Sequence, residues 1–162
     1  MNNHHTPTGT WETPQNPPPE APPPLSPPPH AGAWSIAETI AALSRPLPEK
    51  MLSNKKMGGS TISFIQWHTV NKILDKYAPG WTWEVKSITL SPDRVFVLGR
   101  LTLQTSDGNI YREATGTEEL KTTTRDGEVK EIAYGDPTSN AESMAFRRAS
   151  ARFGLGLYLY SK

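Results

Sequence analysis

An α+β fold, in which a helix, a three-stranded antiparallel β-meander and another helix follow one another, is predicted by three features of this sequence. Apolar residues recur at helical spacing over 63–77 and 141–153, they alternate with polar residues across much of 81–121, and glycine or proline marks the changes of period. Ahead of that core lies a different kind of chain, with ten prolines between Pro14 and Pro29. Proline fixes φ and removes the backbone donor, so residues 1–33 are expected to form a disordered, extended tail and residues 34–162 the domain. The tail serves as a spacer or as a docking strip for a protein partner that its composition does not identify.

Taken in order, residues 35–44 read as a short amphipathic helix, with Ser35 and Glu38 as a capping box and Arg45-Pro46 as the stop. Lys55-Lys56-Met57-Gly58-Gly59-Ser60-Thr61 then reads as a loop ahead of a helix, where two cations and glycine N–H groups suit a phosphate. Its lysines precede the glycines, so it is not a Walker A loop, and no use of ATP is expected. The second helix is placed over Ser63–Tyr77, with Phe64, Trp67, His68, Asn71 and Leu74 three and four residues apart and Pro79-Gly80 as its stop. His68 is read as a buried structural residue, and Trp67, Trp81 and Trp83 as core.

Three strands follow, over Trp81–Leu90, Val95–Thr105 and Ile110–Lys121, separated by Ser91-Pro92-Asp93 and by Asp107-Gly108. In the middle strand Val95, Val97, Leu101 and Leu103 share a face. If Asp107-Gly108 is a two-residue hairpin, Gly99 faces Gly116 and clears room for a closely packed helix. Asp126-Gly127 marks a further turn. The last helix starts at Asp136 as N-cap with Pro137 in its first turn, Ser139 and Glu142 offering a second capping arrangement, and stops at Gly154. Ala141, Ala145, Ala149 and Phe153 form a narrow stripe suited to lying on a sheet, which leaves Arg147, Arg148 and Arg152 free to face something acidic.

The 162 residues, 35% of them hydrophobic, fit one small domain plus the tail. Lys and Arg number 17 against 16 Asp and Glu, yet the split is uneven: residues 1–49 hold one basic and four acidic residues, and residues 50–162 hold sixteen basic and twelve acidic. A modestly basic core permits a phosphate-binding face. The absence of cysteine excludes disulfides, thiolate metal sites and cysteine nucleophiles, and three of the four histidines fall in the tail, so neither a cofactor nor a metal set is read. No apolar run approaches about 18 residues and no basic-then-apolar leader opens the chain, so no membrane association is expected and the cytoplasm is the default compartment.

The run from Tyr134 to Tyr160 resembles the last core helix of the Rad52-type single-strand annealing proteins, a family that includes DdrA-like and phage annealing proteins. Upstream, Leu52-Ser53-Asn54-Lys55-Lys56-Met57-Gly58-Gly59, then Phe64 to Asn71 and Gly80-Trp81, resemble that family's basic Gly-rich entry loop and first helix, in the same order. The two matches bracket residues 50–160. The resemblance implies that the protein binds single-stranded DNA by its phosphates, anneals complementary strands without ATP in recombination and double-strand-break repair, and assembles into a homo-oligomeric ring. In a prokaryotic or phage-infected cell it would sit at the nucleoid. Carried over by position, the DNA-binding residues are Lys56, to within one residue, and with it Lys55 of the same segment, then Phe64, Arg147 and Arg148. Where the family has a further basic residue this chain has Ala151, with Arg152 the neighbouring candidate.

Two other readings remain at this stage. The protein could protect DNA ends without annealing. Alternatively, Asp93 with Glu119 and Lys121 fits the loose pattern of metal-dependent nucleases, provided that Glu119 and Lys121 share one strand face. Otherwise no catalytic residue is read, and the protein is not expected to be an enzyme.

Overall fold

The long middle strand sets the architecture. In the computed structural model, which describes residues 25–131 and 136–161, β4 (Arg94–Thr105) lies between β3 (Thr82–Leu90) and β5 (Gly108–Glu119) in an antiparallel meander. Along β4 the buried positions alternate, with Val95, Val97, Leu101 and Leu103 fully buried on one face, as the sequence pattern requires. Helix α3 (Pro137–Ala151) lies across that face. Its Asp136 cap accepts from the Thr138 N–H at 3.0 Å, and Ala141, Ala145 and Ala149 are completely buried. Phe146 and Phe153 carry the contact on into a core shared with Leu43, Ile73 and Leu74.

Close approach depends on Gly116. A Cβ built there would overlap the Ala141 carbonyl oxygen and lie 2.7 Å from the Ala145 nitrogen. The expected pairing of Gly99 with Gly116 is corrected: Gly99 pairs with Ala114 and Gly116 with Val97. Thr105 pairs with Gly108, so the two-residue connection is Ser106-Asp107 rather than Asp107-Gly108. The Thr105 hydroxyl accepts from the Asp107 N–H and donates to the Gly108 carbonyl, while Gly108 takes φ +105°, as a glycine following such a turn does. Gly99 clears space for something else, the Trp83 indole, which lies over it.

A larger correction falls on residues 52–66. The chain forms a hairpin there, β1 (Leu52–Met57) paired with β2 (Ser60–Ile65), and helix α2 (Trp67–Tyr77) starts only at Trp67. Gly58 and Gly59 have φ +54° and +82°, the double positive φ that a tight two-residue hairpin turn demands. The Lys55-Lys56 segment is therefore strand, not a loop ahead of a helix, and Phe64 belongs to β2. Helix α1 (Ile36–Leu43) has the predicted Ser35–Glu38 capping box. Its first N–H donates to the Asp107 carboxylate at 2.9 Å, which ties it to the β4–β5 turn.

Residues 25–33, placed in the tail by their composition, lie on the body. Leu25 lines a groove with Leu43 and Tyr77, and Trp34, just beyond, stacks on Tyr77 with ring centroids 6.3 Å apart. Residues 1–24 fall outside the described residues, as do Tyr134 and Gly135, which open the C-terminal resemblance. After β5, the Asp126-Gly127 turn closes a short ribbon of β6 (Lys121–Thr123) and β7 (Val129–Glu131).

Candidate nucleic-acid interface

A strand hairpin puts alternate side chains on opposite faces, and this divides the two lysines. Lys55, Met57, Ile62 and Phe64 face a groove of about 710 Å³ that runs between the hairpin and α3. Lys56 is on the other face of β1, exposed. Across the groove, Asn140, Ser143, Met144 and Arg147 present one face of α3, and Arg94, Thr117 and Glu119 from the ends of β4 and β5 complete its lining.

Arg147 bridges the walls. Its guanidinium carbon lies 5.1 Å from the centre of the Phe64 ring, within cation–π range. Burial pushes its pKa below the ordinary arginine value and the neighbouring Arg148 adds to that, while Tyr160 opposes it. Arginine nonetheless stays protonated in proteins, so this is a partly desolvated cation with a planar fork of donors, suited to a phosphate. Thr117 contributes a buried hydroxyl with no hydrogen-bond partner among the described residues.

The other expected cations diverge. Arg148 is exposed and turns to β5, donating to the Thr115 carbonyl at 3.3 Å. At about 100° per residue, Ala151 comes round to within about 40° of Arg147, whereas Arg152 is about 140° away. Ala151 is 5% exposed, so the groove wall closes there, and Arg152 stands exposed at the helix end without lining the groove. His68 is exposed rather than buried, edge-on to Trp67. Trp67 is itself 50% exposed at the groove mouth, not core.

Sequence reasoning missed Arg94 as a lining residue. Its pairing with Glu119 across β4 and β5, at 3.0 Å, follows from a register that became known only with the turn. The same pair bears on the nuclease reading. Glu119 is bound to Arg94, the Asp93 carboxylate accepts from the Ser91 hydroxyl at 2.9 Å, and the chain bends at Leu120 so that Lys121 starts a separate strand. The single strand face that this reading required does not form. Among the described residues no group of three or more His, Asp or Glu is placed to hold a metal, and no helix is long and apolar enough to cross a membrane.

The parity of the hairpin makes a test. Lys55→Ala is expected to weaken binding of a polyanion several-fold and Lys56→Ala to change it little, as measured by fluorescence anisotropy on a labelled single strand. Equal losses would show that the lysines act from both faces.

A helix laid on an antiparallel meander, with a cation-bearing groove between that helix and a hairpin, defines the class of α+β protein to which this chain conforms. Sequence comparison gives the class its name: the chain belongs to the Rad52/22 family of double-strand break repair proteins, which matches residues 35–162. The chain is also 43% identical over 127 residues to DNA repair RAD52-like protein 1, mitochondrial, of Arabidopsis thaliana, covering 77% of this chain and 67% of that protein. It is 40% identical over 129 residues to DNA repair RAD52-like protein 2, chloroplastic, of the same plant, covering 77% and 60%. It thus spans about two thirds or less of the length of these relatives.

Proposed function

We propose that this protein binds single-stranded DNA in the groove between the β1–β2 hairpin and α3 and anneals complementary strands without ATP. The carrying observation is Arg147, a half-buried cation held against Phe64 at the centre of a groove that also receives Lys55. Phosphate contacts made this way carry no sequence information, so most bases stay free to pair. Annealing then needs only charge neutralisation and alignment, with no chemical step. The strand is held by a homo-oligomer, a ring in which grooves of neighbouring subunits join. Val85, Ile88, Leu90 and Phe96, on β3 and the outer part of β4, are 39–68% exposed in the single subunit and would gain cover by assembly.

The second reading, protection of DNA ends without annealing, uses the same groove and differs only in outcome. Two complementary fluorescent strands are expected to pair faster with the protein than alone, in chelator and without nucleotide. Light scattering should show particles far larger than the 17.9 kDa chain. Binding without faster pairing would favour end protection, and cleavage lost in Asp93→Ala or Glu119→Ala would restore the nuclease. Since two relatives are named as mitochondrial and chloroplastic, we propose an organelle beside the cytoplasm as the compartment. A fluorescent fusion of the full chain would tell them apart.

A further inference from the structure

Next to the groove, and sharing Trp67, Ser139 and Ser143 with it, opens a second cavity of about 350 Å³. Its walls are unusually aromatic for so small a domain: Trp67, Trp81, Trp83 and Phe146 all line it. The set is braced. The Trp81 indole N–H donates to Asp75 at 2.8 Å and the Trp83 indole N–H to Glu142 at 3.1 Å, while Phe146 packs against both rings with centroids 5.6 and 5.0 Å away. Gly99 leaves the space against β4 that the Trp83 ring occupies.

Packing alone does not account for the polar groups in this cavity. Glu142 uses one carboxylate oxygen on Trp83 and has a second without a partner among the described residues. Asn71 and Ser143 line the same space, and their side chains make no hydrogen bond among the described residues. Unspent acceptors and donors beside aromatic faces match a planar heterocycle that both stacks and hydrogen-bonds; an alkylammonium would call only on the acceptors.

We propose that the cavity takes one unstacked nucleobase of the strand held in the groove, stacked against tryptophan and donating its exocyclic amino group to Glu142. The proposal rests on the single-strand reading of the groove, since continuity at Trp67 is what delivers the base. Each subunit would then draw one base inward and leave its neighbours turned out for pairing, which fixes the register of the strand on the protein. Thymine, which has no exocyclic amine, fits worst. Cytosine, of the same size, offers its N4 amino group where thymine offers an oxygen that a carboxylate repels.

The test compares oligo(dC) with oligo(dT) of equal length at one salt concentration, by anisotropy with the full chain. Oligo(dC) is expected to bind about tenfold tighter, the order of a hydrogen bond to a charged group. Glu142→Gln, whose amide can donate to thymine O4, should bring the two to within about twofold. A 2-aminopurine placed in an oligo(dC) strand should lose emission on binding and keep it with Trp67→Ala, which should also weaken binding about tenfold, as loss of a base–aromatic stack does. Equal affinity for both oligonucleotides with undimmed 2-aminopurine would overturn the pocket while leaving the groove intact. Failure to bind either would overturn both. Glu142-dependent quenching of tryptophan by tetramethylammonium, with equal affinity for oligo(dC) and oligo(dT), would assign the cavity to a cation instead.

Discussion

Gly116→Ala is expected to lower the melting temperature by about 10 °C or more, or to leave no folded protein at all. At this position backbone meets backbone. The Cβ would overlap the Ala141 carbonyl oxygen and lie 2.7 Å from the Ala145 nitrogen, and neither group has a rotamer to change. The helix must move off the sheet, and Val95, Val97, Ala141 and Ala145, all fully buried, lose their packing together. Overpacking a core ordinarily costs about 1–3 kcal/mol, and displacing a whole helix belongs at or above the top of that range. A domain stable by about 5–15 kcal/mol has little margin for that. Thermal unfolding by circular dichroism measures the change, with Thr115→Ala as comparison: its side chain is exposed, and α3 touches only its backbone carbonyl, which the substitution keeps. A melting temperature within about 2 °C of the parent would mean that the helix has room to slide on the sheet.

The contact that makes Gly116 critical was half visible in the sequence. Alanines four residues apart announce a helix face that wants close approach, and the buried stripe of α3 follows from that spacing alone. What they approach depends on the register of β4 and β5, which in turn depends on one turn residue. Asp107-Gly108 and Ser106-Asp107 are both plausible two-residue connections. The Thr105 hydroxyl, bonded to both Asp107 and Gly108, selects the second and moves each cross-strand partner by two residues. The face is preserved by such a shift, which is why the buried pattern of β4 was right although its partners were not.

The hairpin was obscured for a different reason. Phe64, Trp67, His68, Asn71 and Leu74 fit helical spacing, and the real helix supplies four of those five positions. Phe64 joined them by accident of number. The opposing signal was Gly58-Gly59 between short alternating runs, a turn motif that a helical reading of Ser63 onward leaves unused. Once the hairpin is known, strand parity decides between Lys55 and Lys56, which linear position could not. Arg147 and Arg148 were legible as helix cations pointing about 100° apart, yet only the packing of α3 reveals that Arg147 is the one that faces the groove. Arg94 and the aromatic cavity needed the tertiary structure outright, because their members come from three or more elements.

Arg147→Ala is expected to have the largest effect on function, weakening single-stranded DNA binding by at least tenfold while the protein stays folded. Among the described residues the side chain makes no ion pair with an acidic group, so its removal strands no buried charge there. What disappears is a groove cation that is both half-buried and fixed against an aromatic ring. Such a cation contributes more than a solvated lysine, because it is desolvated beforehand and loses little side-chain freedom on binding. Binding measured over a range of salt should show the slope of log K against log salt reduced by about 0.7, the value for one phosphate contact on a single strand. Arg147→Lys, which keeps the charge and loses the planar fork, should fall between parent and alanine variant. Arg148→Ala should weaken binding less, since its guanidinium turns to the Thr115 carbonyl on β5. An Arg147→Ala protein that binds with unchanged affinity and slope would remove the groove from the account; equal losses at Arg147 and Arg148 would place the strand across the edge of α3 rather than between α3 and the hairpin.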